Sequence, residues 1–158
     1  MRAAPKPTTP RASDPLCPEP VAAPGVSPAL AGRAGFERDG HAVGCIGLAA
    51  ITWGMHAWRV DRAELGYWLA KAEWNRGLMS EAARAIVRFA FETLGLHKIG
   101  VGCFVENEAS RRVIERVGFR YVGRLEDDVW RDGRWWSHLR FELTEQKWRD
   151  LQTGTGAA

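Results

Sequence analysis

From Ser80 to Leu94 apolar residues recur at steps of three and four, and Ala82, Ile86, Phe89, Ala90 and Leu94 fall on one side of a helix. Ser80 is placed to cap that helix by accepting from amides two or three residues on, and Gly95 fits the position just past its end. Upstream, Phe36 to Gly44 reads as the end of one strand, a turn at Asp39-Gly40 and the start of the next. Val43 to Thr52 is apolar and predicts a buried strand, with Trp53-Gly54-Met55-His56 as its exit loop, and Ala63 to Ala70 predicts another. Downstream, His97 to Val105 alternates as a strand, with Gly100 and Gly102 marking close packing or a bulge. Glu108 to Val117 predicts a short helix with Val113, Ile114 and Val117 inward and Gly118 ending it. Phe119 to Leu125 and Trp135 to Leu143 then pair as a hairpin about Asp132-Gly133.

The pattern fails at both ends. All eight prolines lie between Pro5 and Pro28, and residues 1–35 show neither helical nor strand periodicity, the signature of a disordered segment. Residues 36–150 carry the folded domain, and 151–158 read as a flexible tail. A chain of 158 residues is long enough for one domain with a sizeable core.

Charge narrows the function little. The net charge is +3, and residues 1–35 supply four basic and two acidic residues, so the rest is close to neutral. That disfavours nucleic acid as a partner and leaves Trp130-Arg131-Asp132-Gly133-Arg134-Trp135-Trp136 better read as cross-strand pairs. No apolar run is long enough to span a bilayer, and the start lacks the apolar core of a secretory signal, so no membrane partner and a cytoplasmic protein are expected. Cys17, Cys45 and Cys103 have no metal-ligand spacing, nor do the four histidines, and no metal is expected.

The chemistry gathers at Trp74-Asn75-Arg76-Gly77-Leu78-Met79-Ser80-Glu81-Ala82, between a strand and the amphipathic helix. Such a turn presents unpaired N–H groups and the positive end of a helix dipole, a ready site for phosphate. Gly77 permits close backbone approach, and Arg76 adds positive charge. This stretch resembles the acyl-CoA pyrophosphate loop of the GNAT acetyltransferase superfamily, pattern Gln/Arg-x-x-Gly-x-Gly/Ala. It is closer still to the branch that acetylates protein N-termini, the RimJ/RimL type, where Trp-x-x-Gly-x-x-x-Glu-Ala is common. Ala63-Glu64-Leu65-Gly66-Tyr67-Trp68-Leu69, Asn107-x-x-Ser110 and Glu115-Arg116-Val117-Gly118-Phe119 extend the likeness from about Phe36 to Asp150. Trp74 and Met79 depart from the superfamily pattern in ways the branch tolerates.

The resemblance implies an α/β fold: a mixed, mostly antiparallel sheet with flanking helices, its first strand and helices missing here. It implies acetyl-CoA as cosubstrate and direct transfer of acetyl to an amine, on a protein N-terminus or a small molecule, and it allows a homodimer. Arg76, Gly77, Leu78, Met79 and Ser80 are then the phosphate-binding residues, and backbone groups of Leu69 and Ala70, beside a bulge after Tyr67-Trp68, hold the pantetheine arm. Asn107 contacts the pantetheine, and Ser110 contacts CoA or protonates the leaving thiolate. Glu64 is the first candidate base, and the acidic run Glu126-Asp127-Asp128 is the second, with Asp128 its foremost member. Each has a plainer reading: Glu64 as a solvated strand residue, Asn107 as a helix N-cap, and the acidic run as a solvated face. In the family the missing opening helices wall the acceptor side. An acyl-CoA-binding module without turnover is therefore the alternative to an enzyme.

Overall fold

The computed structural model describes residues 33–55 and 58–154. Six strands form one sheet: β1 (Arg33–Arg38), β2 (His41–Met55), β3 (Trp58–Leu69), β4 (Lys98–Phe104), β5 (Arg120–Arg131) and β6 (Arg134–Thr144). Three helices complete it: α1 (Leu78–Glu92), α2 (Glu108–Val117) and α3 (Glu145–Gln152). Across the sheet the order is β1-β2-β3-β4-β6-β5, and every pairing is antiparallel except β3 with β4. That one parallel pair requires a crossover, which α1 provides. The mixed, mostly antiparallel sheet expected from the sequence is thus present.

Alternation within each strand sorts residues onto two faces. Ile46, Leu48, Leu65, Ile99, Val101, Phe141 and Leu143 are buried on the face that carries the helices. Against them α1 buries Met79, Ala83, Ile86, Val87, Ala90 and Phe91, and α2 buries Ile114 and Val117. Each fully buried aliphatic or aromatic side chain contributes about 1.5–3 kcal/mol, so this layer dominates stability. The other face holds Glu64, Lys98, Arg140 and Glu142. Their side chains are joined by ion pairs from Arg140 to Glu64 (2.8 Å) and from Lys98 to Glu142 (3.5 Å). Burial raises the Glu142 carboxyl, but Arg120 and Lys98 outweigh it and hold it below the usual carboxylate range.

Several boundaries differ from the sequence expectation, each for a local reason. Strand β1 begins at Arg33, and Arg33, Ala34 and Gly35 pair with Gly47, Ile46 and Cys45. The segment expected to be disordered therefore gives up its last three residues to the sheet, and its residues 1–32 lie outside the described residues. The exit loop expected at Trp53–His56 is mostly strand, because β2 continues to Met55; His56 lies outside the described residues. Helix α1 starts at Leu78, with Gly77 as its N-cap at φ 77°, so Ser80 lies inside the first turn, buried, and is not the cap. The buried stripe of α1 is rotated accordingly: Ala82 and Phe89 sit at its margin and are only half-buried. Helix α3 has no counterpart in the predicted elements. Thr144 caps it by accepting from the Lys147 amide (3.3 Å), and Trp148 docks on Phe91 with ring centroids 5.4 Å apart. Leu151 and Gln152, assigned to the tail, belong to this helix.

Helix α2 matches its expectation at both ends. Asn107 is the N-cap, its Oδ1 accepting from the Ser110 amide (3.0 Å), and Gly118 ends the helix at φ 103°. The β5–β6 hairpin turns at Asp132-Gly133 as predicted, with both strands longer.

Candidate acyl-CoA site

Strands β3 and β4 are paired only from Arg62↔Lys98 to Leu65↔Val101. Beyond that point they part, and a forked opening forms between Tyr67–Leu69 and Gly102–Phe104. The sequence reading placed a bulge after Tyr67-Trp68, but the β2–β3 ladder is regular from Glu64 to Leu69. Its irregularities lie instead between Ala49 and Gly54. Divergence of β4, not a bulge in β3, opens the fork.

Ladder parity decides which backbone groups face the opening. The Ala70 amide donates to the Val43 carbonyl (2.8 Å), so Ala70 is turned toward β2. Alternation then turns the N–H and C=O of Tyr67 and Leu69 toward β4, into the fork. Trp74 Nε1 donates to the Leu69 carbonyl (2.8 Å), which leaves the Leu69 N–H as the donor aimed at the opening. Of the two residues expected to hold a pantetheine arm, Leu69 is at the opening and Ala70 is not.

The fork leads into a cavity of about 720 Å³ that runs to the N-terminus of α1. The Glu81 amide makes the first helical bond, to the Gly77 carbonyl (3.0 Å), so the amides of Leu78, Met79 and Ser80 precede it and stand at the cavity. Gly77 adopts φ 77°, which disfavours any side chain, and a Cβ built there would meet nothing within 4 Å. The turn is therefore bare as well as electropositive, and it fits a pyrophosphate group. Arg76, with about half of its side chain exposed, donates to Glu73 Oε2 at 2.6 Å. Glu73 is buried, and its other oxygen meets Arg38 of β1 at 2.7 Å.

Midway along the cavity, the N-terminus of α2 brings up Asn107 and Ser110. The Tyr67 phenol lies 2.7 Å from Ser110 Oγ and donates to the Ser110 carbonyl at 3.2 Å. Burial pushes the phenol up to about 12, against a smaller lowering from the Ser110 hydroxyl. Cys103, also lining the cavity, is raised by burial above the usual thiol range, with Arg111 opposing, and is a poor nucleophile in this setting.

The cavity passes through the fork to the opposite face of the sheet, where Trp68, Phe104, Arg131 and His138 line it. His138 Nδ1 is 3.1 Å from Asp128 Oδ2. Phe104 stands across the β4–β6 ladder from His138, its ring centroid 4.5 Å from the imidazole, and the Arg131 guanidinium lies 5.8 Å over the same phenyl ring. Glu126 accepts from the Ser137 hydroxyl (2.9 Å) and pairs with Arg124, while Asp127 bends the strand at φ 45°.

The candidate site residues are thus only partly assembled in one place. Leu69, Arg76, Gly77, Leu78, Met79, Ser80, Asn107 and Ser110 line one continuous cavity. Asp128 reaches it through His138. Glu64 does not: it points along the polar face, where one Arg140 nitrogen donates to both of its oxygens at 2.8 Å. Gly100 makes that path possible, since a Cβ there would stand 2.6 Å from Glu64 Oε1. Tyr67 and His138 also line this cavity and are not among the candidate residues named from the sequence. The signal for Tyr67 was its parity with Leu65 and Leu69; His138 had none, because its carboxylate partner is set by hairpin register. The aromatic-arginine stretch forms intramolecular pairs, with Arg134 3.4 Å over the Trp136 ring and Trp130 against Trp135 at 5.4 Å.

Comparison with known proteins identifies the family. A family model described as an acetyltransferase (GNAT) domain matches residues 1–120, reaching back into the proline-bearing stretch. YdaF of Bacillus subtilis (strain 168), provisionally named a ribosomal N-acetyltransferase, is 34% identical over 117 residues, covering 73% of this chain and 61% of that protein. The [ribosomal protein uS5]-alanine N-acetyltransferase of Escherichia coli (strain K12) is 32% identical over 84 residues, 53% of this chain and 43% of that one. The crystal structure of a probable acetyltransferase superposes with a TM-score of 0.67 at 32% identity, covering 76% of this chain and 66% of that one. The chain spans 50–61% of the length of the first curated relatives it matches. Among the described residues, no helix is long and apolar enough to cross a membrane.

Proposed function

The chain belongs to the GNAT acetyltransferase family, and on that premise we propose that it transfers the acetyl group of acetyl-CoA to a primary amine by direct attack. One observation carries the reading: the β3–β4 fork is continuous with the bare, electropositive N-terminus of α1. A long ligand can lie with its phosphates at Gly77 and its reactive end in the fork.

The residues divide the work by position. The amides of Leu78, Met79 and Ser80 bind the pyrophosphate, and Arg76 adds charge. The Leu69 N–H donates to the acyl group or the arm behind it, where a fixed donor favours the charge that develops on the carbonyl oxygen. Ser110 handles the departing sulfur. The single phenol proton goes to the Ser110 carbonyl, so at 2.7 Å the Ser110 hydroxyl donates to the Tyr67 oxygen and turns from it to donate to a thiolate.

The acceptor is a primary amine, with the N-terminal alanine of a ribosomal protein one candidate by analogy with the Escherichia coli relative. The test is thiol release from acetyl-CoA in the presence of an alanine-initiated peptide and of a small polyamine, with the acetylated product identified by mass. Amine-dependent release supports transfer. Thermal stabilisation by CoA without release from any amine favours the second reading, a binding module without turnover. That reading draws on the polar sheet face bearing Glu64, which no helix covers among the described residues.

A further inference from the structure

We propose that His138, oriented by Asp128, is the group that takes the proton from the acceptor ammonium, which makes His138 the catalytic base and Asp128 a positioning residue. The inference rests on the acetyl-transfer reading above and assigns the proton acceptor that reading needs.

Three observations carry it. First, His138 lines the cavity on the side of the fork opposite the α1 N-terminus, where an acceptor enters once CoA occupies the other side. Second, its Nδ1 is 3.1 Å from Asp128 Oδ2. A carboxylate there holds the tautomer with hydrogen on Nδ1 and leaves Nε2 as the acceptor. Third, the ring is held in place: Phe104 packs on it at 4.5 Å, directly across the ladder. Glu64, the other carboxylate on that face, is occupied by Arg140 and lies outside the cavity.

The charged groups around the imidazole come from three strands. Strand β5 supplies Asp128, Glu126 and Arg131, the last also lining the cavity; β6 supplies Arg140, which β3 neutralises through Glu64; β4 presents only Phe104 across the ladder. Asp128 alone among them contacts the ring nitrogen, and it fixes the orientation of the ring.

The step balances. The acceptor R–NH3+ gives one proton to His138 Nε2, and the freed amine forms a C–N bond at the thioester carbonyl. The C–S bond breaks, the second amine proton reaches the sulfur through the Ser110 hydroxyl, and His138 returns its proton to solvent. Amide, CoA thiol and one free proton result.

The experiment compares kcat–pH profiles of wild type, His138→Gln, Asp128→Asn and Asp128→Glu, with CoA affinity and melting temperature measured on each. The proposal expects His138→Gln to lower kcat by about 10²-fold or more, the range for loss of a general base, and to remove the acid limb of the profile, with CoA affinity unchanged. Asp128→Asn keeps the imidazole, so it should retain more activity than His138→Gln, and Asp128→Glu should recover most of what Asp128→Asn loses. That recovery is readable even if His138→Gln folds poorly, and a purely structural role for Asp128 would not produce it. A His138→Gln protein within threefold of wild type with the same acid limb overturns the assignment and leaves acetyl transfer standing. An Asp128→Glu protein no more active than Asp128→Asn overturns the positioning role. Absence of transfer by the wild-type protein overturns both readings together.

Discussion

The Tyr67 phenol and the Ser110 hydroxyl are separated by 43 positions in the chain and by 2.7 Å in the fold. The contact ties the last turns of β3 to the first turn of α2 across the fork. Because the phenol is raised to about 12, the bond also has a pH signature.

Ultraviolet titration should show Tyr67 ionising near 12. The folded state holds the neutral form, so the contribution to stability is complete below the unfolded value of 10.0 and disappears as pH rises to about 12. Tyr67→Phe should remove the high step and the alkaline loss of stability that accompanies it. Absence of a step near 12 in the folded protein would contradict the buried contact.

Gly77→Glu should weaken CoA binding at least tenfold, about 1.4 kcal/mol, measured by calorimetry. The side chain has room, as nothing lies within 4 Å of the added Cβ, so the protein should fold, with strain from φ 77° lowering its melting temperature. The carboxylate would stand where the phosphates approach. Unchanged CoA affinity would remove the turn from the binding site.

Glu64→Gln should leave kcat within threefold of wild type. The ion pair it weakens has both side chains more than a third exposed or nearly so, and such pairs contribute about 0–1 kcal/mol to stability. A hundredfold fall in kcat would return Glu64 to the role of base and would require the side chain to leave Arg140 on acceptor binding.

Trp148→Ala should lower stability by about 1–2 kcal/mol, because the indole is half-buried against Phe91. Urea unfolding is the measurement, and CoA affinity should not change, as α3 is remote from the cavity lining. Unaltered urea stability would mean that α3 is not docked in solution.

Elements whose ends are set by side chains were legible in the sequence. Helix α2 is bounded by a capping Asn107 and by Gly118 in a left-handed conformation, and both residue types announce those roles. Helix α1 was misplaced at its start because its N-cap is a glycine, whereas Ser80 offered a more familiar cap two residues inside. Helix α3 was missed because eight residues with Trp148 and Leu151 as their large apolar members show no period; Thr144, three residues before Lys147, was the available signal. The phosphate turn was readable since its parts are contiguous. The proton-transfer side was not, because Asp128 meets His138 only through the register of the hairpin, which shifts between Leu125 and Val129. Strand parity does not separate Glu64 from His138: Ala63 and Leu65 flank Glu64 with core residues and send it to the face His138 occupies, and only the Arg140 pairing, set by register between β3, β4 and β6, draws it away from the cavity.

Glu73 gives the edge of the sheet a stake in the phosphate turn. One buried carboxylate shared by two guanidinium groups leaves the trio with a single surplus positive charge, anchored at one end to β1 and at the other to Arg76. A phosphate that draws Arg76 toward itself releases one of the two grips on Glu73 and throws the carboxylate back on Arg38. Solvent exchange at the β1 amides is therefore expected to slow when a phosphate occupies the turn, and hydrogen exchange with and without CoA checks it.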